Sequence, residues 1–189
     1  MDSFKNKMTQ QNKEGIISYS NLEEAERKNP RLSFELGKII KTSSNEIVFL
    51  CIGSDRSTGD AFGPLVGTLL KEDHIPYPVY GTLSDPVHAL NLESVLKEIQ
   101  KKFKNPLIIG IDACLGDYHQ IGSIFLKEGS FSPGNAVHNV LPHIGDYHLT
   151  AVVNYLDPHF PVHSLNGTRL NTVMALAKYT TKLIARADE

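Results

Sequence analysis

The chain has 189 residues, of which 41% are hydrophobic and 21% charged, and its formal net charge is -2. This is the composition of one ordinary globular domain, and it offers no dense block of lysine and arginine for a nucleic-acid partner. No window approaches the ~18 apolar residues of a membrane span, and the first residues lack the apolar stretch of a signal peptide. We therefore expect a cytoplasmic protein without nucleic-acid or membrane partners.

The amino-terminal part of the chain differs in pattern from the rest. We predict an N-terminal extension over residues 1–45 and an α/β domain over residues 46–189. The first residues of the extension are polar and have no hydrophobic period, which is typical of a mobile tail. Two short helices, separated by Pro30, are expected after it. The extension is therefore interpreted as a partly disordered or helical cover.

The regular body begins with the apolar run of residues 47–52, a pattern typical of a strand that is covered on both faces. A helix is predicted to start at Asp60, with Pro64 in its first turn, where the missing N–H removes no helical hydrogen bond. A strand over residues 79–83 and a helix ending near Lys102 follow. Strand and helix therefore alternate.

The second half of the chain continues this alternation. The predicted elements are strands at 107–111 and 121–126, an irregular segment at 129–144, a helix at 149–156, a strand at 160–165 and a long amphipathic helix at 168–187. Such a pattern predicts a three-layer α/β/α sandwich with a mostly parallel sheet.

Two aspartates follow the apolar runs of this predicted sheet. Asp60 closes a glycine-rich loop after the first run, and Asp112 directly follows the run at 107–111. Ligands of open α/β sheets bind at the carboxyl ends of the strands, so these acids could converge there. Close carboxylates split their pKa values, which suits one for acid and the other for base catalysis of peptide hydrolysis. The structural alternatives are a helix cap for Asp60 and a turn former for Asp112.

Other residues of the same loops are candidates for substrate binding. Thr58 and Gly59 lie in the glycine-rich loop, and Asn166 and Arg169 lie at a predicted strand-to-helix junction, where Arg169 could contact a peptide carboxylate or face solvent. The loop does not fit a nucleotide, because it has five residues between its glycines and then Asp60 where a Walker motif has lysine.

A histidine beside the two acids would make a mixed nitrogen and oxygen site that suits zinc or nickel. The candidate ligands are Asp60 and Asp112 with His143 or His148, and the choice between the histidines stays open. Cys114 could instead be a nucleophile activated by a histidine, although no local signature supports this.

Residues 53–64 and 111–113 carry a resemblance to a known family. Over residues 47–184 the chain resembles the YyaC-type sporulation proteins, which are similar to the spore germination protease and the hydrogenase maturation proteases. This implies a phosphorylase/hydrolase-like fold of the hydrogenase-maturation-protease type. It also implies that Asp60 and Asp112 match the two acids of the germination protease, an atypical aspartic-type endopeptidase. Asp60 further matches the acidic metal ligand of the hydrogenase enzymes, whose nickel site a histidine completes.

The leading hypothesis is a sporulation-associated endopeptidase of aspartic type that hydrolyses a protein substrate and requires no cofactor. The alternative is a non-catalytic peptide- or metal-binding module with a protease-like fold, with nickel or zinc at the Asp/Asp/His site. The resemblance places the protein in the forespore or spore. The composition leaves a homo-oligomer open.

Overall fold

The computed structural model describes residues 16–22, 31–131 and 144–188. Within them lie strands β1 (Ile16–Asn21), β2 (Ile47–Cys51), β3 (Val79–Tyr80), β4 (Leu107–Gly116), β5 (Ser123–Glu128) and β6 (Tyr147–Tyr155). The helices are α1 (Arg31–Thr42), α2 (Phe62–Glu72), α3 (Leu92–Lys102), α4 (Pro161–Asn166) and α5 (Leu170–Asp188), with a 3-10 turn at Tyr118–Gln120. None of the helices in the described ranges is long and apolar enough to cross a bilayer.

The strands form one six-stranded sheet in the order β1-β5-β6-β4-β2-β3. β3, β2, β4 and β6 run parallel to one another, whereas β5 is antiparallel to both of its neighbours. One face of the sheet packs against α1, α2 and α5, and the other packs against α3. The predicted α/β/α class with a mostly parallel sheet is therefore confirmed.

β2 shows why its sequence is apolar without alternation. All five of its residues are buried. Phe49 and Cys51 face the layer of α1, α2 and α5, while Val48 and Leu50 face α3. Because successive side chains of a strand point to opposite faces, a strand between two helical layers needs apolar residues at every position.

Two predicted elements of the second half are wrong in type. The predicted helix at 149–156 is β6, which lies in the sheet between β4 and β5. A short apolar run buried on both faces carries no period that separates strand from helix, so pairing with two neighbours decides. The predicted strand at 160–165 is α4, and Pro161 at its first turn is a helix-start signal in the sequence itself.

Other boundaries also differ from the prediction. β3 has two residues instead of the five expected, and β4 continues five residues beyond position 111. Of the segment predicted to be irregular at 129–144, residues 132–143 lie outside the described part of the chain. Its described ends meet in an antiparallel bridge between Phe131 and Ile144.

The described part of the predicted N-terminal extension shares the sheet and core of the rest. β1 pairs with β5, and α1 packs against α5 with Leu32 and Leu36 buried. Residues 1–15 and 23–30 lie outside the described ranges. The division of the chain at residue 46 stays a prediction, but α1 is a packed helix of the same core.

This packing predicts the effect of truncating side chains on α1. Leu36→Ala should lower the free energy of unfolding by about 2–5 kcal/mol, because Leu36 is fully buried. Phe34→Ala on the same helix should change it by less than about 1 kcal/mol, since Phe34 is 60% exposed. Urea denaturation of both variants measures the two values. Equal stability of the Leu36 variant and the parent would show that α1 is only a detachable cover.

Candidate active site

The chain turns sharply between β2 and α2, and this turn positions Asp60. Gly53 has φ +141°, and a Cβ added to it would lie 2.0 Å from the Asp60 carbonyl oxygen. The Ser54 N–H donates to that same oxygen at 3.2 Å. The 53–60 loop therefore closes on itself, and only glycine permits the contact at its first position.

Both sides of the 53–60 loop are tied to neighbouring segments. The Gly53 N–H donates to the Val87 carbonyl oxygen at 2.8 Å, and the Gly59 N–H donates to the Leu165 carbonyl oxygen at 3.0 Å. The first bond joins the loop to the segment after β3, and the second joins it to α4. The loop is therefore held rigidly over the carboxyl end of β2.

The predicted substrate-binding residues lie around one junction. Thr58 is half-buried beside Gly59, whose N–H is already used by α4, and Asn166 and Arg169 are exposed between α4 and α5. The junction joins two helices, not the strand and helix expected from the sequence. Their role in substrate binding stays a prediction.

Asp60 does not cap the helix that follows it. α2 begins at Phe62, two residues later than predicted, and its capping residue is Ala61, with no hydrogen bond from a side chain. The half-buried Asp60 carboxylate therefore makes no capping hydrogen bond to α2. The structural alternative considered for this residue, a helix cap, is wrong.

Asp112 lies inside β4 and is not a turn former. The last register pair between β2 and β4 is Cys51 with Ile111, so Asp112 is the first residue of β4 beyond β2. On its other side it pairs with Thr150 of β6. Its side chain is 7% exposed, and its Oδ1 accepts a hydrogen bond from the Ala113 N–H at 2.8 Å. The sheet therefore holds the acid in place and leaves it open toward the 53–60 loop.

The two acids are near enough for the charge of one to act on the other. Burial raises the pKa of Asp112 well above its ordinary value, and the negative charge of Asp60 raises that pKa further. Burial also raises the pKa of Asp60, but the Ser54 N–H and the charge of His88 act to lower it. Asp112 is thus the acid that keeps a proton, and Asp60 is the one that ionises more readily.

His88 is a member of this site that the sequence analysis missed. It follows Val87, which bridges Ile52 at the end of β2. The His88 N–H donates to Asn91 Oδ1 at 2.8 Å, and the Leu90 N–H donates to His88 Nδ1 at 3.3 Å. These two bonds fix the position of the His88 ring beside Leu90 and Asn91. The available signal was its place after a strand at the same edge of the sheet as Asp60.

His148 was expected at the start of a helix, but it lies near the beginning of strand β6. Its register partner in β4 is Gly110, two positions before Asp112. Its Nδ1 lies 3.1 Å from the Gly129 carbonyl oxygen, and its ring stacks on Phe131 with a centroid distance of 4.7 Å. Burial is the main cause that lowers its pKa to about 4, so the imidazole is neutral at pH 7.

The predicted metal site is therefore only half assembled by the described residues. The structure brings Asp60 and Asp112 together, whereas His148 is displaced along its strand and His143 lies outside the described ranges. Residues 16–22, 31–131 and 144–188 contain no group of three or more metal-ligating side chains. This donor set does not fit zinc or nickel by itself, since such sites take three or four protein ligands.

Cys114 lies two residues after Asp112 on β4. Burial is the largest cause that raises its pKa to about 12, and the charge of Asp112 raises it further against the opposing effect of Lys127. Because the thiolate is the reactive form of cysteine, a thiol held protonated is a poor nucleophile. Burial therefore makes Cys114 a poor candidate nucleophile.

A cavity of about 920 Å³ lies at the opposite end of the parallel strands, where β4 and β6 begin. Residues from the starts of β4 and β6, such as Leu107 and Tyr147, line it together with Phe103 and Gln100. None of the predicted site residues lines it. The acids instead face the carboxyl edge of the parallel strands, where ligands of such sheets bind.

Comparison with solved structures identifies the class of fold. The chain is similar to a [NiFe] hydrogenase maturation protease, HycI from Thermococcus kodakarensis KOD1, with a TM-score of 0.56 over 82% of this chain and 98% of that one. The two sequences are 20% identical, so the likeness shows a protease-like α/β fold and nothing more specific.

Comparison of sequences identifies the family. A family model described as "Protein of unknown function (DUF1256)" matches residues 17–183, and the chain belongs to this family. The "Uncharacterized protein YyaC" of Bacillus subtilis (strain 168) is 43% identical over 149 residues, which are 78% of this chain and 72% of the relative. The resemblance to YyaC-type proteins is therefore confirmed, while the likeness to the germination protease stays a prediction.

Because Asp112 is buried, we expect its ionised side chain to lower the stability of the fold. Its raised pKa means that the folded chain binds the proton more tightly than the unfolded chain does, so stability falls as pH rises above the unfolded-state value of about 3.9. Asp112→Asn should therefore raise the melting temperature at pH 8 by at least about 2–4 °C, the shift that about 1 kcal/mol produces in a chain of this size. The gain should shrink toward pH 4.

Calorimetry from pH 4 to pH 8 measures this difference. Asp55→Asn is the matched control, since Asp55 is exposed on the adjoining loop, and it should leave the melting temperature unchanged. A melting temperature of the Asp112 variant at or below that of the parent at pH 8 would contradict the expectation.

Proposed function

We propose that this chain is an endopeptidase of aspartic type in which Asp60 and Asp112 act together on a protein substrate. The observation that carries the proposal is the position of two acids at the carboxyl ends of neighbouring parallel strands, where burial raises the pKa of Asp112 and the charge of Asp60 raises it further. Neither acid has the structural role that would explain it otherwise: Asp60 caps no helix and Asp112 forms no turn.

The two protonation states fit the two proton transfers of peptide hydrolysis. The ionised Asp60 takes a proton from water as the water oxygen bonds to the peptide carbonyl carbon. The protonated Asp112 gives its proton to the nitrogen as the carbon–nitrogen bond breaks. The reaction leaves Asp60 protonated and Asp112 ionised, so one proton must pass from Asp60 to Asp112 before the next cycle.

The finer parts of the proposal have separate support. The structural neighbour HycI is a maturation protease, which favours hydrolysis of a protein over other reactions on this fold. The resemblance to YyaC-type sporulation proteins supports a role in sporulation and a place in the cytoplasm of the forespore or spore. Thr58, Gly59, Asn166 and Arg169 would hold the substrate beside the acids.

The alternative is a non-catalytic module that uses the same edge to hold a peptide or a metal. The convergence of two carboxylates supports it, because a divalent nickel or zinc ion could bind them with a donor from elsewhere. This module would bind without turnover. Peptide binding would also survive exchange of the acids for asparagine.

Cleavage of a peptide library tests the proposal. The parent protein, incubated with a proteome-derived peptide library, should generate new amino termini that mass spectrometry detects. Asp60→Asn and Asp112→Asn should each reduce their number by at least about 100-fold, the lower range of what one acid–base group contributes. Asp73→Asn, which exchanges an exposed acid at the far end of α2, should cleave as the parent does.

The same assay separates the alternatives. Cleavage retained by both asparagine variants would remove the acids from the mechanism. Cleavage by the parent that is lost with EDTA, restored by nickel or zinc, and absent from His148→Ala would favour the metal-dependent form. Absence of new termini under every condition would leave the binding module.

The charge of His88 predicts how activity depends on pH. Activity should rise with pH as Asp60 ionises and fall again as Asp112 loses its proton. His88 lowers the pKa of Asp60, so His88→Gln should move the acidic limb of the profile to higher pH and leave the alkaline limb in place. His119→Gln, an exchange of an exposed histidine, should move neither limb. An unchanged acidic limb in the His88 variant would exclude this role.

A further inference from the structure

The exposed apolar side chains of this protein are concentrated at one edge of the sheet. Of the eight large hydrophobic residues that are exposed in the described ranges, all but Phe34 lie at the ends of the parallel strands or in the segments that follow them. They are Leu83, Leu90, Tyr118, Tyr155, Phe160, Val162 and Leu170, which we call the apolar rim. Single exposed apolar residues are ordinary on protein surfaces, but a group at one edge marks a site of interaction.

The apolar rim lies on both sides of the acids. Leu83 and Leu90 follow β3, whereas Tyr118 and Phe160 follow β4 and β6, and the strand order is β6-β4-β2-β3. Asp60 follows β2, between the two groups. Three strand spacings of about 4.8 Å separate β3 from β6, a span of roughly 14 Å. An extended chain of about four residues covers that distance at ~3.3 Å per residue.

Several rim side chains are held in groups and yet remain accessible. Tyr118 is 79% exposed, and its ring lies 6.3 Å from that of Tyr155. Phe160 is 61% exposed, and its ring lies 5.9 Å from His163 in an edge-to-face arrangement. These contacts restrict the rings without covering them. Aromatic side chains fixed in this way lose little entropy when a partner packs on them.

The charges of the same segments indicate the charge of the partner. Residues 52–61, 81–91, 117–122 and 156–169 contain five aspartates and two arginines but no lysine. Asp55, Asp85 and Asp117 are exposed, as are both arginines, so the aspartates outnumber the arginines at this edge. A segment that carries positive charge would therefore be attracted to this edge, and an acidic one would be repelled.

We infer that the apolar rim binds the substrate itself, as an extended segment of another protein that carries bulky apolar side chains on both sides of the cleaved bond and a net positive charge. This inference rests on the proposed function, since it takes the acids between the two rim groups as the place of cleavage. It assigns the specificity of the site to side chains such as Leu90, Tyr118 and Phe160, which lie outside the acid pair.

A second copy of this chain is a poorer occupant of the rim. A copy seated across both groups would cover the opening between β2 and β6 and bury Asp60 and Asp112 in a permanent interface. An extended segment occupies the same span and leaves after cleavage. The edge therefore fits a transient chain better than a folded partner.

Binding of designed peptides to a non-cleaving variant tests the inference. Asp112→Asn, with fluorescence anisotropy as the readout, is mixed with three labelled octapeptides: one of Leu, Phe and Lys, one of Ser and Lys, and one of Leu, Phe and Glu. The first should bind at least about tenfold more tightly than either of the others, the ratio that about 1.4 kcal/mol gives. Leu90→Ser and Phe160→Ser, each added to the Asp112→Asn variant, should weaken binding of the peptide of Leu, Phe and Lys about tenfold.

The control variant is Phe34→Ser, which removes an exposed aromatic side chain from α1 and should leave peptide binding unchanged. Equal binding of the three peptides, or rim variants that bind as the parent does, would overturn the inference. Rim variants that only convert a dimer to a monomer in sedimentation would also overturn it and assign the rim to a second copy.

The outcomes separate this inference from the proposed function. Acid-dependent cleavage of the peptide library with no apolar preference around the cut sites would leave the function standing and remove the role of the rim. Selective peptide binding without any cleavage by the parent protein would do the reverse.

Discussion

The burial of Asp112 beside the negative charge of Asp60 is the constraint on which the site depends. Ionising a carboxyl group that is buried inside a strand costs free energy, so its pKa is raised. A second negative charge beside it raises the pKa further. The structure relieves this strain unequally, because Asp60 has the Ser54 N–H and the charge of His88 nearby, whereas Asp112 has mainly the N–H of its own neighbour, Ala113. The asymmetry gives the two acids different proton affinities.

The ending of β2 makes that arrangement possible. β2 and β4 pair through Cys51 and Ile111, and the chain then leaves the sheet at Gly53. Asp112 therefore keeps a strand neighbour only on the β6 side. A longer β2 would cover Asp112 with main chain. A shorter β4 would leave the acid on a flexible turn, and its pKa would then stay close to that of the free side chain.

Sequence patterns predicted the parts of this structure that depend on local burial. The run at 47–52 indicated a strand between two layers, and an acid directly after an apolar run pointed to Asp112. The same kind of run at 149–156 was assigned to a helix, because a strand buried on both faces has no period to reveal it and β6 is decided by β4 and β5. The extension of β4 past position 111 follows from that pairing too. His88 had no local pattern, since its relevance comes from the bridge of Val87 to Ile52.

The position of His148 sets it apart from the two acids. Its low pKa does not do so, because a neutral imidazole is both an ineffective acid at pH 7 and the form that binds metals. Register does: His148 pairs with Gly110, two residues before Asp112, which places it roughly 7 Å back along the strands at ~3.3 Å per residue. Its ring is also occupied by the Gly129 carbonyl oxygen and by Phe131. A metal held by the two acids would therefore need further ligands from outside the described residues.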